Sequence, residues 1–382
     1  MNTVYYRFIE PLDVLFLRGN KLFGDPGSFG ESLIPPWPSV AAGAIRTRML
    51  ADDNVDLAAF ARDEIRHPVL GTPSEPGTFT MNGFYLARRT ANGIELLVAP
   101  PADLVISKKE TDELVIHPLT STHLNPLAGV MNSAPLPGLP VLAEQERSKP
   151  ASGYWLKQSG WEKYLAGQTP SADDFIHASE LWQIDPRVGV GLDADMRRAA
   201  DGKLFTVQAV AMRPNVGFIA GVSGAEPPGE GMLRLGGDGR AAAIRPADNF
   251  DMPHPDYEAI AQARCCRIVL TSPGIFPEGW KLSGTGDDNS VAIGGINARL
   301  VCAAVSRAEI VSGWDLAANN GRGEPKPAQR VAPTGSVYWL DEVDATPDAL
   351  RKLVETGLWC DPGDNPSRRA EGFNRAWLAT WK

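Results

Sequence analysis

The sequence predicts an α+β fold, and three observations support this prediction. The 382 residues are enough for two to three domains, each with its own hydrophobic core. Short runs rich in β-branched and aromatic residues recur along the chain, and the dipeptide Asn92-Gly93 between the runs 79–88 and 94–99 is typical of a β-hairpin. Helix-start signals occur at 35–39 and again at 346–348.

The N-terminal segment has the order strand, loop, helix. Residues 4–9 predict a strand, the short apolar segment 14–17 follows, and a glycine-containing loop leads to residue 33. Prolines at 35, 36 and 38 predict an extended approach, and Ser39 is the predicted N-cap of the helix. Residues 40–44 carry no bulky side chain, and Arg46 and Arg48 follow. Two interpretations are open: an anion-binding helix start, or a small-residue face packed closely on a sheet.

Residues 100–185 interrupt the pattern of strands. Prolines at 118, 126, 135, 137, 140 and 150 separate short mixed segments, so we predict an insertion whose loops project from the domain, with one short aromatic helix at 154–165. Beyond it, residues 204–213, 216–222, 232–235 and 241–245 predict strands, and 194–200 predicts a short polar helix. Residues 248–255, which include two prolines, are the predicted linker.

The second half contains four further predicted strands and one helix with clear ends. The strands are 265–270, 300–307, 335–340 and 376–381. Thr346 is the predicted N-cap of the helix, Pro347 its first residue, and Gly357 its end. Residues 362–375 form a predicted loop that contains glycine and arginine. The loop 317–333 carries three cations against one acid, namely Arg322, Lys326, Arg330 and Glu324.

Charge and composition exclude several classes of protein. The net charge of −9 argues against a nonspecific nucleic-acid binder, so any RNA binding must use local basic patches or partner subunits. No apolar run approaches the ~20 residues of a membrane span, and the N-terminus lacks the pattern of a signal peptide, so we expect a cytoplasmic protein. The four cysteines have no metal-binding spacing and are interpreted as core thiols.

Two glycine- and arginine-containing segments are candidate ligand sites. Residues 236–240, Gly-Gly-Asp-Gly-Arg, resemble a phosphate-binding turn, but they lack the Lys-Ser/Thr of a P-loop and do not precede a helix. We interpret them as a tight turn that needs positive φ, in which Arg240 forms a surface or interdomain pair. Residues 368–375 have a net charge of +2 and form either a solvated loop or a contact to a phosphate backbone.

The sequence gives little support for catalysis. None of the five histidines pairs with a cysteine, serine or second histidine at the spacing of a metal site or a catalytic triad. His117 and His123, six residues apart, are the nearest approach to a metal or acid-base pair. We therefore predict no catalytic residue, no metal and no cofactor.

Six short strings follow one another along the chain. They are DVLFLRGNK at 13–21, PSVAAGAIR at 38–46, RVGVGLD at 187–193, LGGDGR at 235–240, GWD at 313–315 with KP at 326–327, and VAPTGSVY at 331–338. Their order and spacing resemble the third subunit of the Cmr complex, the type III-B CRISPR effector, whose subunits include members of the RAMP superfamily. The resemblance covers nearly the whole chain.

This resemblance implies two ferredoxin-like domains of the RRM type. The first would span 1–250, with the insertion at about 100–185, and the second 256–382. The resemblance also implies a non-catalytic subunit that holds the repeat-derived 5′ tag of the crRNA at the base of the particle. Its partners would be the large Palm-domain subunit and the first backbone subunit, with no membrane and no homo-oligomer. In such families the helix after the first strand, here 39–48, and the glycine-rich loop before the last strand, here 372–375, face the RNA.

We therefore predict an RNA-binding surface made of helix-terminal amides, arginines on phosphates, and exposed aromatic residues such as Trp37 or Phe29 stacked on bases. Asn374 stands where a second glycine is usual, and asparagine tolerates the left-handed region. Two alternatives are open: a crRNA-processing endoribonuclease of the same superfamily, and a scaffold that only joins protein subunits. The predicted contacts are Arg18, Asn20, Lys21, Trp37, Ser39, Val40, Arg46, Arg48, Gly237, Arg240, Arg322, Lys326, Arg330, Arg369, Gly372, Asn374 and Arg375.

Overall fold

The computed structural model describes residues 3–19, 29–123, 135–144, 149–193, 195–196, 198–361 and 364–381. The strands are β1 (Tyr5–Pro11), β2 (Phe29–Gly30), β3 (Thr80–Thr90), β4 (Gly93–Val98), β5 (Leu104–Lys108), β6 (Leu114–Pro118), β7 (Thr120–His123), β8 (Gly138–Val141), β9 (Lys149–Pro150), β10 (Tyr154–Lys157), β11 (Phe175–His177), β12 (Trp182–Asp193), β13 (Arg198–Met212), β14 (Val216–Ser223), β15 (Gly231–Arg234), β16 (Ala241–Pro246), β17 (Cys266–Leu270), β18 (Ser290–Ile293), β19 (Ile296–Ala304), β20 (Glu309–Val311), β21 (Trp314–Asp315), β22 (Glu324–Pro325), β23 (Gln329–Val331), β24 (Val337–Asp344) and β25 (Ala376–Thr380). The helices are α1 (Pro38–Asp52), α2 (Leu57–Ala61), α3 (Gln158–Leu165), α4 (Tyr257–Ala263), α5 (Ala318–Gly321), α6 (Pro347–Thr356) and α7 (Pro366–Ala370). The α+β prediction is confirmed.

The chain divides into two compact units. Unit 1 consists of Met1–Ile94, Ser179–Asn249 and Ile310–Ala328, and unit 2 consists of Glu95–Ala178, Phe250–Glu309 and Gln329–Lys382. The division groups residues 95–178 with the C-terminal segments, whereas the predicted insertion of the first domain contains most of them. The domain boundaries 1–250 and 256–382 stay a prediction.

Unit 1 is built on an antiparallel sheet with the strand order β3-β14-β1-β16-β15. The central strand β1 pairs on both sides, with Phe8 opposite Ile219 in β14 and opposite Arg245 in β16. The helix α1 follows β1 in the chain and buries an apolar face that includes Ala41, Ile45 and Met49, at the spacing expected of a helix on a sheet. A second sheet contains the long antiparallel hairpin of β12 and β13, with the short strand β2 parallel to β13.

Unit 2 is built on an antiparallel sheet with the strand order β18-β19-β24-β17-β25. The helix α6 belongs to this unit and confirms the prediction made from its ends. The Thr346 hydroxyl accepts a hydrogen bond from the Ala349 N–H at 3.2 Å, Pro347 is the first helical residue, and Gly357 is the C-cap with φ of 83°. Leu350 and Leu353 of α6 lie in the hydrophobic core of this unit.

The helix α1 begins earlier than predicted. Its N-cap is Trp37, and Pro38 is its first residue, so the assignment of Ser39 as N-cap is wrong by two positions. Proline suits the first helical position because its φ is already helical and its missing N–H needs no acceptor. No side chain caps this helix, and the Ser39 hydroxyl lies inside the first turn.

Two of the predicted helices are partly strands. Residues 154–157 form β10, in which Trp155 pairs with Ile176, and the helix α3 begins only at Gln158. Residues 198–200 belong to β13, where Ala199 pairs with Leu192 in β12. In both cases pairing with a strand distant in sequence overrides the local helical tendency. Residues 194 and 197 of the second predicted helix lie outside the described residues.

The predicted projecting loops at 100–185 contain ordered elements. Strands β5 to β11 and the helix α3 lie in this segment. Trp161 and Tyr164 of α3 are each only 1% exposed, and Trp161 contacts Trp377 with the ring centroids 5.6 Å apart. The segment therefore contributes to the packing of unit 2. No helix within the described ranges has the length and apolar character needed to cross a membrane.

Candidate nucleic-acid interface

Three segments of unit 1 meet at the ring of Phe16. The Arg240 guanidinium carbon lies 5.0 Å from the ring centroid, and that of Arg187 lies 5.9 Å from it, within the range of a cation-π contact. Residues 13–18 supply Phe16 and Arg18, β12 supplies Arg187, and the segment 235–240 supplies Arg240. We call Phe16, Arg18, Arg187 and Arg240 the Phe16 cluster. Three of the six strings that carry the family resemblance therefore converge on one place.

A glycine turn holds one side of the Phe16 cluster. The Gly237 N–H donates to the Phe16 carbonyl at 2.8 Å. Gly236 has φ of 76° and ψ of −158°, and Asp238 and Gly239 have φ of 58° and 63°. A Cβ on Gly236 would lie 2.8 Å from the Phe16 carbonyl oxygen, so only glycine fits there. The prediction of a tight turn with positive φ is confirmed.

Each arginine of the Phe16 cluster has a carboxylate partner. Arg18 contacts Asp238 at 3.2 Å and Arg240 contacts Asp13 at 2.8 Å, which confirms the predicted pairing of Arg240. Arg187 contacts Asp185 at 2.9 Å. A hydrogen bond from the Val14 N–H, followed by the charge of Arg240, lowers the pKa of Asp13. These carboxylates orient the guanidinium groups, and a guanidinium has five N–H donors, more than one carboxylate accepts.

The two predicted arginines of α1 lie in different environments. The Arg46 guanidinium lies 4.8 Å from the ring centroid of Phe79. Arg48 contacts Asp52 at 2.6 Å and donates to the Met232 carbonyl of β15 at 2.5 Å. Both side chains are half-buried, whereas Gly43 is exposed and a Cβ on it would meet nothing within 4 Å. Ser39 and Val40 are also partly exposed, so the accessible surface of the first two turns of α1 consists of small side chains.

Trp37 does not fulfil the prediction of an exposed stacking residue. Its side chain is only 8% exposed, and its indole N–H has no hydrogen-bond partner among the described residues. The prediction is wrong because the residue precedes α1 directly and packs inward with Pro38. Asn20 and Lys21 lie outside the described residues, and so does the side chain of Phe29.

The predicted loop cations at 322–330 are divided between the two units. In unit 1, Arg322 is exposed and follows α5, and Lys326 donates its backbone N–H to the Gly313 carbonyl at 2.8 Å. That bond extends the pairing of β21 with β22, in which the exposed Trp314 faces Pro325. In unit 2, Arg330 is exposed on β23.

The glycine-rich loop before β25 is buried, contrary to the prediction that it is exposed to RNA. Gly372, Asn374 and Arg375 are all buried, and Arg369 is half-buried. Asn374 has φ of 57°, as the sequence analysis expected, and it is fully buried because its side chain bonds to the backbone of residues 275 and 358. The Arg375 guanidinium donates to the Glu355 carbonyl at 2.5 Å. These contacts fix the loop inside unit 2.

Two of the histidines, His67 and His117, have a carboxylate neighbour in the structure. His67 is buried; its Nε2 lies 2.8 Å from a carboxylate oxygen of Asp53, and its Nδ1 accepts from the Leu70 N–H at 3.2 Å. His117 lies 3.4 Å from Glu144. Within the described part of the chain, no group of three His, Cys, Asp or Glu side chains could hold a metal ion.

Two members of the Phe16 cluster, Phe16 and Arg187, are not among the predicted RNA contacts. Both lie in strings that carry the family resemblance, DVLFLRGNK and RVGVGLD, so the sequence indicates the two segments but not the individual residues. Which residue of each string meets the other segments depends on the register of β12 and on the isolated bridge between Leu15 and Val210. That register is a long-range property of the fold.

Comparison with known proteins gives one family and several distant structures. A family model described as CRISPR-associated protein (Cas_Cmr3) matches residues 7–381, and no curated protein matches the chain. A chain of the cryo-EM structure of the Type III-B Cmr-beta bound to cognate target RNA and AMPPnP has 13% identity and a TM-score of 0.46, with 98% of both chains covered. A chain of the Type III-B Cmr-beta bound to cognate target RNA has 13% identity and a TM-score of 0.41, covering 87% of this chain and 86% of that chain. Because the family model spans nearly the whole sequence, the resemblance to the third Cmr subunit is confirmed, and the chain belongs to the Cas_Cmr3 family of CRISPR-associated proteins.

Proposed function

We propose that this chain is an RNA-holding subunit of a type III-B CRISPR effector that binds the 5′ tag of the crRNA without cleaving it. The observation that carries the proposal is the convergence of three family strings on the Phe16 cluster, which brings Arg18, Arg187 and Arg240 together on one surface. Arginine is the side chain best suited to phosphate because its planar fork donates two parallel hydrogen bonds.

The charge pattern fits a shared RNA rather than independent binding. The net charge of −9 repels a polyanion, and each arginine of the Phe16 cluster already has one carboxylate partner. Local guanidinium groups would then contact a few phosphates, while partner subunits supply the remaining electrostatic free energy. The partners in this proposal are the large Palm-domain subunit and the first backbone subunit.

We extend the proposal to the domains, which we assign as ferredoxin-like. Numbered along the chain, β1, β3, β14 and β16 are adjacent in the order 2-3-1-4, and β17, β19, β24 and β25 of unit 2 follow the same order. A ferredoxin-like sheet has this order, and α1 and α6 lie at two of the helix positions of the motif. The repeated strand order supports two related domains.

The environment of His67 supports a non-catalytic role. It is the one histidine close in sequence to the predicted RNA-facing helix, and a ribonuclease needs a general acid and base that reach the substrate. Its ring is only 5% exposed and both nitrogens contact protein groups. We expect crRNA incubated with the assembled complex to keep its length, both with the wild-type chain and with the His67→Gln variant. Shortening of the crRNA by the wild-type complex but not by the variant complex would contradict a holding role.

Photocrosslinking tests the proposal directly. The complex is reconstituted with crRNA that carries photoreactive bases in the 5′ tag, and crosslinked peptides are mapped. We expect crosslinks on residues 13–18 and 236–240, and their yield should fall about tenfold in the Arg18→Glu/Arg240→Glu variant. Arg66→Glu is the matched control, because Arg66 is an exposed arginine of the same unit that pairs with Glu75 outside the cluster. Crosslinks found only on neighbouring subunits would leave this chain a scaffold.

A specific observation also favours contact with a neighbouring subunit. One face of the β12–β13 hairpin exposes Val188, Leu192 and Leu204, with 68%, 68% and 58% of their surface accessible. Because exposed apolar side chains in a cluster mark protein interfaces, we propose that this face meets another protein subunit. The variant Val188→Glu/Leu204→Glu should reduce incorporation of the chain into the complex, whereas Met232→Glu, an exposed apolar residue of β15, should not. Equal incorporation of both variants would contradict this role.

A further inference from the structure

The sheet of unit 1 ends at the strand β15. In the strand order β3-β14-β1-β16-β15, this strand pairs with β16 on one side and is the last strand on the other. An edge strand presents backbone N–H and C=O groups to which a strand of another chain can add. Met232 and Arg234 of β15 are exposed. This edge is therefore a place where self-association can begin.

The antiparallel pairing shows which backbone groups of β15 face outward. The Leu235 N–H donates to the Arg240 carbonyl at 2.8 Å, which closes the hairpin of β15 and β16. Hydrogen-bonded and non-hydrogen-bonded pairs alternate along an antiparallel ladder. The odd-numbered residues of β15 therefore bond to β16, whereas the backbone groups of Met232 and Arg234 face away from it.

One of these outward groups is occupied by the side chain of Arg48 from α1. The Arg48 guanidinium donates to the Met232 carbonyl at 2.5 Å, and its Nε lies 2.6 Å from a carboxylate oxygen of Asp52, one helical turn later. A Cβ on Gly231 would lie 2.8 Å from Nη1 of Arg48, so the glycine leaves the space in which the guanidinium lies. The arginine is thus held across the edge of the sheet.

The edge of β15 is complementary to itself. If the β15 strands of two copies pair antiparallel about Leu233, Met232 of each copy lies opposite Arg234 of the other. These are the residues whose backbone groups face outward, so each of the two symmetric pairs would exchange two hydrogen bonds. Arg48 occupies the Met232 carbonyl in each copy, and its side chain lies where the added strand would have to approach.

We propose that Arg48, oriented by Asp52, closes the edge of the unit 1 sheet against addition of β15 from a second copy of this chain. A charged side chain placed on an edge strand is one of the ways in which proteins prevent pairing between edges. This role gives a physical reason for the predicted absence of a homo-oligomer. It assigns Arg48 a contact inside the chain instead of the predicted contact to RNA, and it does not depend on the proposed RNA-holding function.

Sedimentation equilibrium of the full chain over a concentration series tests this role. We expect Arg48→Ala to lower the dissociation constant of the dimer about tenfold relative to the wild type, because one backbone acceptor is freed in each copy. Arg66→Ala is the matched control, because Arg66 is an exposed arginine of the same unit that pairs with Glu75. Both variants make the net charge of −9 more negative by one, so self-repulsion alone predicts the same small effect for both.

The charge at position 232 tests the register of the dimer. In the Arg48→Ala background, Met232→Lys places a cation opposite Arg234 of the second copy, so the dimer should be weakened about threefold. Met232→Glu places an anion there and should strengthen the dimer by a similar factor. The Met232 side chain is 60% exposed, so the fold of the chain tolerates both substitutions.

Each other result contradicts the inference. Equal dissociation constants for Arg48→Ala, Arg66→Ala and the wild type would mean that Arg48 does not close the edge. Equal dissociation constants for the lysine and glutamate variants would place the contact between copies on another surface. Asp52→Ala keeps Arg48 and removes only the carboxylate that orients it, so its dissociation constant should lie between those of the wild type and Arg48→Ala. If urea unfolding shows that Arg48→Ala is not folded, Asp52→Ala decides, and a value equal to that of the wild type would overturn the inference.

Discussion

Asn374 is fully buried with φ of 57°, a backbone conformation that few residues other than glycine adopt. Its side-chain oxygen accepts from the Ile275 N–H at 2.6 Å, and its side-chain nitrogen donates to the Leu358 carbonyl at 3.1 Å. From a turn that directly precedes β25, Asn374 thus provides hydrogen-bond partners for backbone groups of two other segments of unit 2. The side chain of Asn374 therefore stabilises the fold of unit 2.

Substitution of Asn374 separates the hydrogen bonds from the backbone conformation. We expect Asn374→Ala to lower the free energy of unfolding by about 2–4 kcal/mol, because buried polar groups lose their partners and alanine is disfavoured at positive φ. Asn374→Gly loses the same hydrogen bonds, but glycine adopts positive φ readily. Its free energy of unfolding should therefore fall by about 1 kcal/mol less than that of Asn374→Ala. Urea unfolding of the full chain measures both, and equal losses would mean that the backbone conformation contributes nothing.

Asp174 provides a pH-dependent contribution to stability. Burial alone would raise its pKa, but hydrogen bonds from Lys163, Ser171 and Ser159 outweigh burial and lower the pKa from 3.8 to about 2. A carboxylate with a depressed pKa stabilises the fold above the pKa of the unfolded chain, and this stability is lost as the pH falls from about 4 to about 2.

We expect the free energy of unfolding to fall by about 2 kcal/mol through this group over that pH range. Asp174→Asn should be less stable at pH 6 and should have a flatter pH profile below pH 4, measured by urea unfolding at each pH. The exposed neighbour Asp173 is the control, because Asp173→Asn changes the same charge without these hydrogen bonds. Parallel profiles for Asp174→Asn and the wild type would contradict the assignment.

At the scale of the elements, the sequence predicts helix ends and turns that are determined by residues close together in the chain. The ends of α6 follow from Thr346, Pro347 and Gly357, and the prediction is confirmed at both ends. The prediction of a helix at 194–200 is wrong at the described residues 198–200, because Ala199 pairs with Leu192 of β12. The prediction of an exposed loop at 372–375 is wrong for a similar reason, since burial depends on segments about 20 to 100 residues away in the chain. The tight turn at 236–240, by contrast, is set by its own glycines.

Gly43 offers a test of the exposed face of α1. It lies inside a 15-residue helix, and a Cβ there would meet nothing within 4 Å. We expect Gly43→Ala to raise the free energy of unfolding by about 0.5–1 kcal/mol, because alanine loses less backbone entropy than glycine in a helix. If the RNA backbone approaches this face closely, the same change should weaken crosslinks of the crRNA tag to residues 39–48.

Gly236→Ala is the matched comparison for Gly43→Ala. Its Cβ would lie 2.8 Å from a backbone oxygen at φ of 76°, so this variant should be less stable than the wild type. Thermal unfolding of both variants measures the change in unfolding temperature relative to the wild type. We expect an increase for Gly43→Ala, because of helix propensity, and a decrease for Gly236→Ala, because of backbone strain. A loss of stability in Gly43→Ala would show that the helix face is covered.

At the scale of the whole molecule, the sequence does not predict which distant segments of the chain pack in the same compact unit. Proline spacing predicted an insertion at 100–185, but the structure groups residues 95–178 with 250–309 and 329–382 in one compact unit. Besides apolar packing, these segments share a buried ion pair: Asp103, with no exposed side-chain surface, contacts Arg267 at 2.7 Å. The Tyr164 hydroxyl donates to the same carboxylate at 2.8 Å. No local pattern in the sequence identifies such a pair.

The Asp103–Arg267 pair should couple the stability of these segments. Arg267→Met leaves a buried carboxylate without its counter-ion, so we expect a loss of about 3–5 kcal/mol in the free energy of unfolding. The double variant Asp103→Leu/Arg267→Met removes both charges and should cost markedly less than the sum of the single variants, because buried ion pairs repay little more than their own desolvation. The exposed pair of Arg66 and Glu75 is the control, and Arg66→Met should change stability by about 0–1 kcal/mol. Urea unfolding of the four chains completes the double-mutant cycle. Additive losses at Asp103 and Arg267 would mean that the two segments are held together by apolar packing alone.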